Sequence, residues 1–199
     1  MPEHPVYCIL PMSEIQLFVY DIPPGTKTES LPYLQKALAA YCACKGWDQE
    51  AFRQIRKDEK GRPFVEGEPL FVSATHSGGR VICAVCRERV GIDAEFPCLR
   101  GRTADYQGIA ARFFSPLEQA YVKERGEEGF FEIWVRKEAY MKYTGKGMAY
   151  GFRRIPTRDE KGFVKQIRGC RMRFERCGEM FFACAGGTGA LRWNNKSQR

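Results

Sequence analysis

At 199 residues and 44% apolar, the chain is long enough to bury a core and too apolar to be disordered by composition. Its 32 Lys+Arg against 24 Asp+Glu leave +8 at pH 7, which calls for an anionic partner without choosing among nucleic acid, a phosphorylated small molecule and an acidic protein. No apolar run approaches the length of a membrane span, and Met1-Pro-Glu-His-Pro5 has no basic segment leading into an apolar one, so neither a spanning helix nor a secretory leader is expected.

In chain order, Ile15–Tyr20 reads as a first strand and Pro23-Pro-Gly25 as a turn. Ser30 is a candidate N-cap with Pro32 in the first turn, opening a helix to about Cys44 that stops before Gly46. A short helix is expected after Asp48 with Ala51, Phe52 and Ile55 inward, then a charged turn over Lys57–Gly61. Residues 62–95 read as β: Leu70–Ser73, the Gly78-Gly79 turn, Arg80–Cys86 and Val90–Glu95. Residues 96–109 look irregular, and Ala110–Phe114 a short helix. Ser115-Pro-Leu-Glu118 is a capping box, the helix it opens is broken at Gly126 and Gly129, and the next ends at Gly145. Strand character returns at Arg153–Ile155, Phe163–Ile167, Cys170–Phe174 and Met180–Ala185, and the polar, glycine-rich residues from about Gly186 are expected to fray.

Nine cysteines without a leader read as reduced thiols in a cytoplasmic protein. Cys83 and Cys86 have half of a zinc-site spacing, but on a strand residues three apart face opposite ways, so a four-cysteine site with Cys42 and Cys44 is disfavoured; most cysteines read as small buried hydrophobes.

The two halves are alike in outline. Gly79-Arg-Val-Ile-Cys-Ala-Val85 resembles Gly178-Glu-Met-Phe-Phe-Ala-Cys184, which predicts an α+β fold of two pseudo-symmetric lobes. Each lobe carries a small antiparallel sheet with helices, over residues 1–100 and 101–199, with an active site where they meet.

Asp93 and Glu95 are two apart on a strand, so both carboxylates face one side. Trp134, Glu138 and Lys142 fall on nearly one helical stripe with Lys137 beside it. Oxygen ligands beside ammonium groups suit Mg²⁺ and phosphate. The plain alternatives are a solvated strand end and an exposed Glu–Lys helix. The Thr75-His76-Ser-Gly-Gly79 turn adds short donors and an imidazole suited to a phosphate or ribose, or is simply surface.

Taken together, Gly61-Arg-Pro63, Val72-Ser-Ala-Thr-His-Ser-Gly78, Gly91-Ile-Asp-Ala-Glu95, Phe113-Phe-Ser-Pro-Leu-Glu118 and Trp134-Val-Arg-Lys-Glu138 with Lys142 and Gly145-Lys-Gly147 resemble the ordered motif set of the 4′-phosphopantetheinyl transferases, of the larger two-lobed, Sfp-like kind. The resemblance implies transfer of the phosphopantetheine arm of coenzyme A to a serine of an acyl or peptidyl carrier protein. It implies Mg²⁺ on Asp93, Glu95 and Glu138; pyrophosphate contacts from Lys137 and Lys142; Thr75 and His76 at the 3′-phosphate end; and Arg62 and Pro63 near the adenine. Glu118 matches the glutamate that takes the serine proton, a role that competes with helix capping; Glu118→Gln is expected to spare the fold under either. An acidic carrier is expected to dock on residues 97–114, where Leu99, Tyr106, Ile109 and Phe113 mix with Arg100, Arg102 and Arg112. A monomer without nucleic-acid or membrane partners is expected.

The sequence departs from the family in places. Ser73, Ala74 and Thr75 stand where Asn, an aliphatic residue and Ser usually precede the histidine, Arg62 replaces a common lysine, and the shortened first lobe keeps only Lys27, Lys36 and Lys45 in its basic segment. The rivals are a nucleic-acid-binding module, which explains +8 and the basic residues of Arg153–Arg176 but not the carboxylates, and a Mg²⁺-dependent nuclease, which explains the carboxylates.

Overall fold

The computed structural model describes residues 14–23, 29–47, 54–67, 70–97, 105–147 and 151–195. Strand β1 (Ile15–Asp21) is followed by helix α1 (Ser30–Lys45), a small ladder of β2 (Ile55–Lys57) and β3 (Pro63–Val65), then β4 (Phe71–Ser77), β5 (Arg80–Cys86) and β6 (Val90–Glu95). Helices α2 (Tyr106–Phe113) and α3 (Pro116–Thr144) come next, then a 3₁₀ turn at Phe152–Arg154. The chain closes with β7 (Arg158–Asp159), β8 (Gly162–Phe163), β9 (Gln166–Ile167), β10 (Cys170–Cys177), β11 (Met180–Gly186) and β12 (Leu191–Asn195).

Two four-stranded sheets result, in the orders β12-β1-β5-β4 and β6-β11-β10-β9, antiparallel apart from the β1–β12 pair. They stack face to face between the helices. Alternation along the central strands produces this layering. Val81, Cys83 and Val85 point to the core under α1, while Ile82, Ala84 and Cys86 point to the core between the sheets. Likewise Phe181, Ala183 and Ala185 face α3, and Met180, Phe182 and Cys184 face the inter-sheet core. Helix α1 buries Leu34, Ala37, Leu38, Tyr41 and Cys42, the i, i+3, i+4, i+7, i+8 stripe of an amphipathic helix. Cys83 and Cys86 thus go to opposite faces of their strand.

Helix α3 begins at the expected capping box and is interrupted at Gly126, whose φ of 61° and ψ of −138° lie where a side chain is not tolerated. Gly129, the second expected break, stays helical and buried. Close contact fixes how α3 meets the second sheet. A Cβ on Gly91 of β6 would lie 2.2 Å from Ala139 O and from Tyr143 N, so only glycine lets the strand backbone touch the helix there.

Other expectations shift. Glu29, not Ser30, precedes α1 and makes no side-chain cap. Ile55 belongs to a strand, and residues 48–53 lie outside the described part, as do residues 24–28 and 98–104. The expected strand at Arg153–Ile155 is a 3₁₀ turn leading to a buried Ile155. The expected fraying beyond Gly186 gives way to β12, which adds to the first sheet because Trp193 packs on Phe182 at 4.8 Å and donates from Nε1 to Glu175. No described helix is long and apolar enough to cross a membrane.

Candidate active site at the seam of the two sheets

Strands β4 and β6 are edge strands of different sheets and lie side by side. Their junction is made by side chains. The amides of Ile92, Ala94 and Phe96 donate to the hydroxyls of Ser73, Thr75 and Ser77, at 3.1, 3.3 and 3.1 Å. These alternate residues of β4 satisfy the outward amide row that an edge strand would otherwise leave unpaired. Two of the hydroxyls also donate: Thr75 to Asp93 Oδ1 and Ser77 to Glu95 Oε2, each at 2.8 Å.

Asp93 and Glu95 are therefore buried at the seam, on the side of β6 that faces α3. From α3, Lys142 Nζ reaches Asp93 Oδ1 at 2.8 Å. Glu138, one turn earlier, is crowded by the same charges. Burial and then the negative Asp93 push its carboxyl up to about 7, with Glu95 adding and Lys142 opposing. Asp93 Oδ2 is buried without a hydrogen-bond partner. Among the described residues no three His, Cys, Asp or Glu side chains are gathered tightly enough to cage an ion by themselves. The donor set nevertheless fits a hard cation that keeps waters and takes one or two carboxylates plus phosphate oxygens: an orphaned carboxylate oxygen, and a third carboxyl that its neighbours hold toward the protonated form.

In front of these groups opens a cleft of about 250 Å³ lined by Arg62, Pro63, Ser73, Glu138, Met141, Lys142 and Gly145. A second hollow of about 140 Å³ shares Arg62, Pro63 and Lys142 and adds Arg89 and Tyr143, neither of which sequence reasoning singled out; Arg89 stands two residues before the Gly91 motif. Arg62 is aimed by the charged turn before it. Asp58 accepts from the amides of Lys60 and Arg62 and pairs with the Arg62 guanidinium at 3.2 Å. A Cβ on Gly145 would lie 2.9 Å from Arg62 Nη1, so this cation rests on the carboxyl end of α3, where the helix dipole favours it.

The structure thus brings together Arg62, Pro63, Glu138 and Lys142, with Asp93 and Glu95 behind them. It does not bring the other expected residues there. His76 is exposed, on the opposite side of β4 from the hydroxyl row, and Thr75 is buried with its hydroxyl committed to β6; neither lines the cleft. Glu118 and Lys137 are both fully buried and pair at 2.8 Å. Lys137 spends its remaining donors on the carbonyls of Phe152 (2.9 Å) and Ile155 (2.5 Å). Glu118 accepts from Thr157 N, Thr157 Oγ1 and Ser115 N besides. Burial works to raise the Glu118 carboxyl, but Lys137, Thr157 and Ser115 together hold it below its usual value. Thr157, the third member of this network, carried no sequence signal. Beside it Arg136 lies 3.6 Å from the Phe163 ring and 3.9 Å from the Phe174 ring, and burial pulls it down to about 10.

The family model of the 4′-phosphopantetheinyl transferase superfamily matches residues 89–183, a segment that holds β6, α2, α3, all of β10 and the first four residues of β11. Asp93, Glu95, Glu118, Lys137, Glu138 and Lys142 all fall inside it. The chain is 38% identical over 98 residues to 4′-phosphopantetheinyl transferase gsp of Aneurinibacillus migulanus, covering 47% of this chain and 39% of that protein. It is 42% identical over 96 residues to 4′-phosphopantetheinyl transferase psf-1 of Bacillus pumilus, covering 46% and 39%. It is 33% identical over 96 residues to 4′-phosphopantetheinyl transferase Sfp of Bacillus subtilis (strain 168), covering 46% and 41%. The chain spans about two fifths of the length of these curated relatives.

Proposed function

We propose that this chain transfers the 4′-phosphopantetheine arm of coenzyme A to a serine of an acyl or peptidyl carrier protein, with Mg²⁺ as cofactor. The observation that carries the reading is the convergence of Asp93 and Glu95 from β6 with Glu138 and Lys142 from α3, inside the matched segment, facing Arg62 and Pro63 across one cleft. A nucleic-acid module has no use for that acid cluster. The relatives' names favour transfer over a nuclease.

In this reading the serine oxygen attacks the phosphorus that bears the pantetheine arm. The bond from that phosphorus to the bridging pyrophosphate oxygen breaks, and adenosine 3′,5′-bisphosphate leaves with the electron pair. A divalent cation held by Asp93, Glu95 and Glu138 would withdraw charge from the pyrophosphate. Lys142 supplies the ammonium group beside it, and Arg62 with Pro63 borders the adenine end. For Glu118 to take the serine proton and for Lys137 to meet the pyrophosphate, their buried pair must open. Closed, it ties residues 152–157 to α3. His76, exposed on β4, is left to the 3′-phosphate end.

The carrier docks, in the same reading, at the elbow between α2 and α3. Phe113 is 42% and Leu117 47% exposed there, beside exposed Arg112 and Arg153. Tyr106, assigned to this surface from sequence, instead packs between Phe130 and Phe131 at 4.8 and 5.4 Å. Apolar anchors with an arginine rim suit an acidic partner. The test is mass spectrometry of apo carrier proteins after incubation with the protein, coenzyme A and Mg²⁺. Gain of the phosphopantetheine mass, abolished by chelator, is expected; unchanged mass in every carrier, with no coenzyme A shift of the melting point, refutes the reading.

A further inference from the structure

The hydroxyl row of β4 does two jobs at once. A hydroxyl has one proton to give and lone pairs to accept with. Thr75 accepts the Ala94 amide and donates to Asp93, and Ser77 accepts the Phe96 amide and donates to Glu95. Each hydroxyl therefore grips β6 twice, by the backbone of one residue and the carboxylate of the residue before it. Ser73, at the near end of the row, makes only the backbone grip, on Ile92.

We propose that Thr75 and Ser77 are positioning residues for Asp93 and Glu95, fixing which carboxylate oxygen each offers to a divalent cation. This rests on the transferase reading above. At Asp93 the consequence is specific. Thr75 and Lys142 both load Oδ1, so Oδ2 alone is left, buried and without a partner. A carboxylate free to rotate would exchange its two oxygens; one pinned by two donors does not. Partners that orient a ligand in this way typically alter metal affinity ten- to a hundredfold when removed. Because the same hydroxyls join the edge strands of the two sheets, the spacing of the sheets and the aim of the ligands are set by one row of atoms. Thr75 is 5% exposed, which leaves its hydroxyl to this duty and not to the cleft.

The experiment is Mn²⁺ binding by electron paramagnetic resonance on the whole chain, without coenzyme A or carrier, alongside hydrogen exchange of the Ala94 amide. Thr75→Val keeps the shape and removes the hydroxyl; it should weaken Mn²⁺ binding about tenfold or more and speed Ala94 exchange. Thr75→Ser, which restores the hydroxyl, should return Mn²⁺ affinity to within about twofold of the wild type. Mn²⁺ binding by Thr75→Val at the wild-type midpoint, or equal weakening in Thr75→Ser, overturns the proposal, whatever happens to exchange. Should Thr75→Val fail to fold, Ser77→Ala at its half-buried position decides in the same way through Glu95. Wild-type protein that binds no Mn²⁺ overturns both this inference and the metal part of the proposed function. Binding that responds as expected while no carrier is modified upholds the inference and refutes transfer.

Discussion

The β4–β5 and β10–β11 hairpins keep the same register. Ser73, Thr75 and Ser77 stand opposite Ala84, Ile82 and Arg80, as Arg173, Glu175 and Cys177 stand opposite Cys184, Phe182 and Met180. What differs is the length of the side chains in the row. The short hydroxyls of β4 draw β6 alongside and leave carboxylates at the seam. In β10, Arg173 reaches the carbonyls of Gly186, Gly187 and Gly189, and Glu175 accepts a hydrogen bond from the Trp193 indole N–H. That row meets β12 and the loop before it, and β12 closes the first sheet by pairing with β1. A hollow of about 300 Å³ remains there, walled by Val19, Ile82, Phe96, Met180 and Trp193, with no acid cluster. A repeated frame thus yields one seam fit for chemistry and one built for closure.

The strongest way to break that contrast is at Glu118. If chemistry is confined to the β4–β6 seam, Glu118 is framework, and Glu118→Gln leaves the buried Lys137 ammonium facing a neutral amide. Breaking a buried pair by neutralising one partner costs roughly 3–5 kcal/mol. For a chain of this size that lowers the melting temperature by on the order of 10 °C. This reverses the expectation from sequence that the substitution spares the fold. A variant with an unchanged melting curve and turnover cut about a hundredfold, the range of general-base loss, would place chemistry outside the seam.

Next in size is Asp93→Ala. It removes the carboxylate that Thr75 and Lys142 share, and transfer should fall by about a hundredfold or more while far-ultraviolet circular dichroism is retained. Near-normal turnover at limiting Mg²⁺ would dissolve the distinction between the seams.

Gly91→Ala tests how closely β6 must approach α3. The added carbon meets backbone rather than a yielding side chain, so strand and helix must separate, with an expected loss of about 1–3 kcal/mol in chemical denaturation. The shift should also weaken Mn²⁺ binding, because Asp93 and Glu138 sit on the two elements forced apart. Unaltered stability would show that the contact relaxes at no cost.

Much of this was readable from the chain because local signals agreed with tertiary ones. The apolar runs of Arg80–Cys86 and Met180–Ala185 marked two strands, which prove buried on both faces, and Ser115 with Glu118 announced the start of α3. What was not readable was direction around the helix. Lys137 and Glu138 are adjacent, yet neighbours on a helix point about 100° apart. Glu138 looks to the cleft and Lys137 to the carbonyls of residues far along the chain. Strand β12 escaped notice because its partner β1 lies at the other end of the chain and its own residues are mixed polar and apolar. The period-two run Ser73, Thr75, Ser77 was in plain view, but Ser73 reads as a strand end and Thr75 and Ser77 as part of a turn suited to phosphate or ribose. A hydroxyl row becomes a strand joint only when another strand edge is brought to it.

The smallest effect expected is at Glu175, the register counterpart of Thr75. Its carboxylate accepts the Trp193 indole N–H at 3.1 Å in a half-buried setting. Glu175→Gln keeps a carbonyl oxygen in the same place, so the hydrogen bond survives and only its charge-assisted part is lost, about 1 kcal/mol or less. The melting temperature should move by no more than a few degrees. Mn²⁺ affinity should stay at the wild-type value, because the bond between Glu175 and Trp193 involves no ligand carboxylate. Set beside Thr75→Val, the pair of variants compares the same register position in the two copies of the frame. A weakening of Mn²⁺ binding in Glu175→Gln comparable to that in Thr75→Val would mean that the seams are coupled through the inter-sheet core, where Phe182 meets both Trp193 and the buried faces of β5 and β6. Independence would mean that the aim of Asp93 and Glu95 depends on the hydroxyls of β4 and not on the side chain at the matching position of β10.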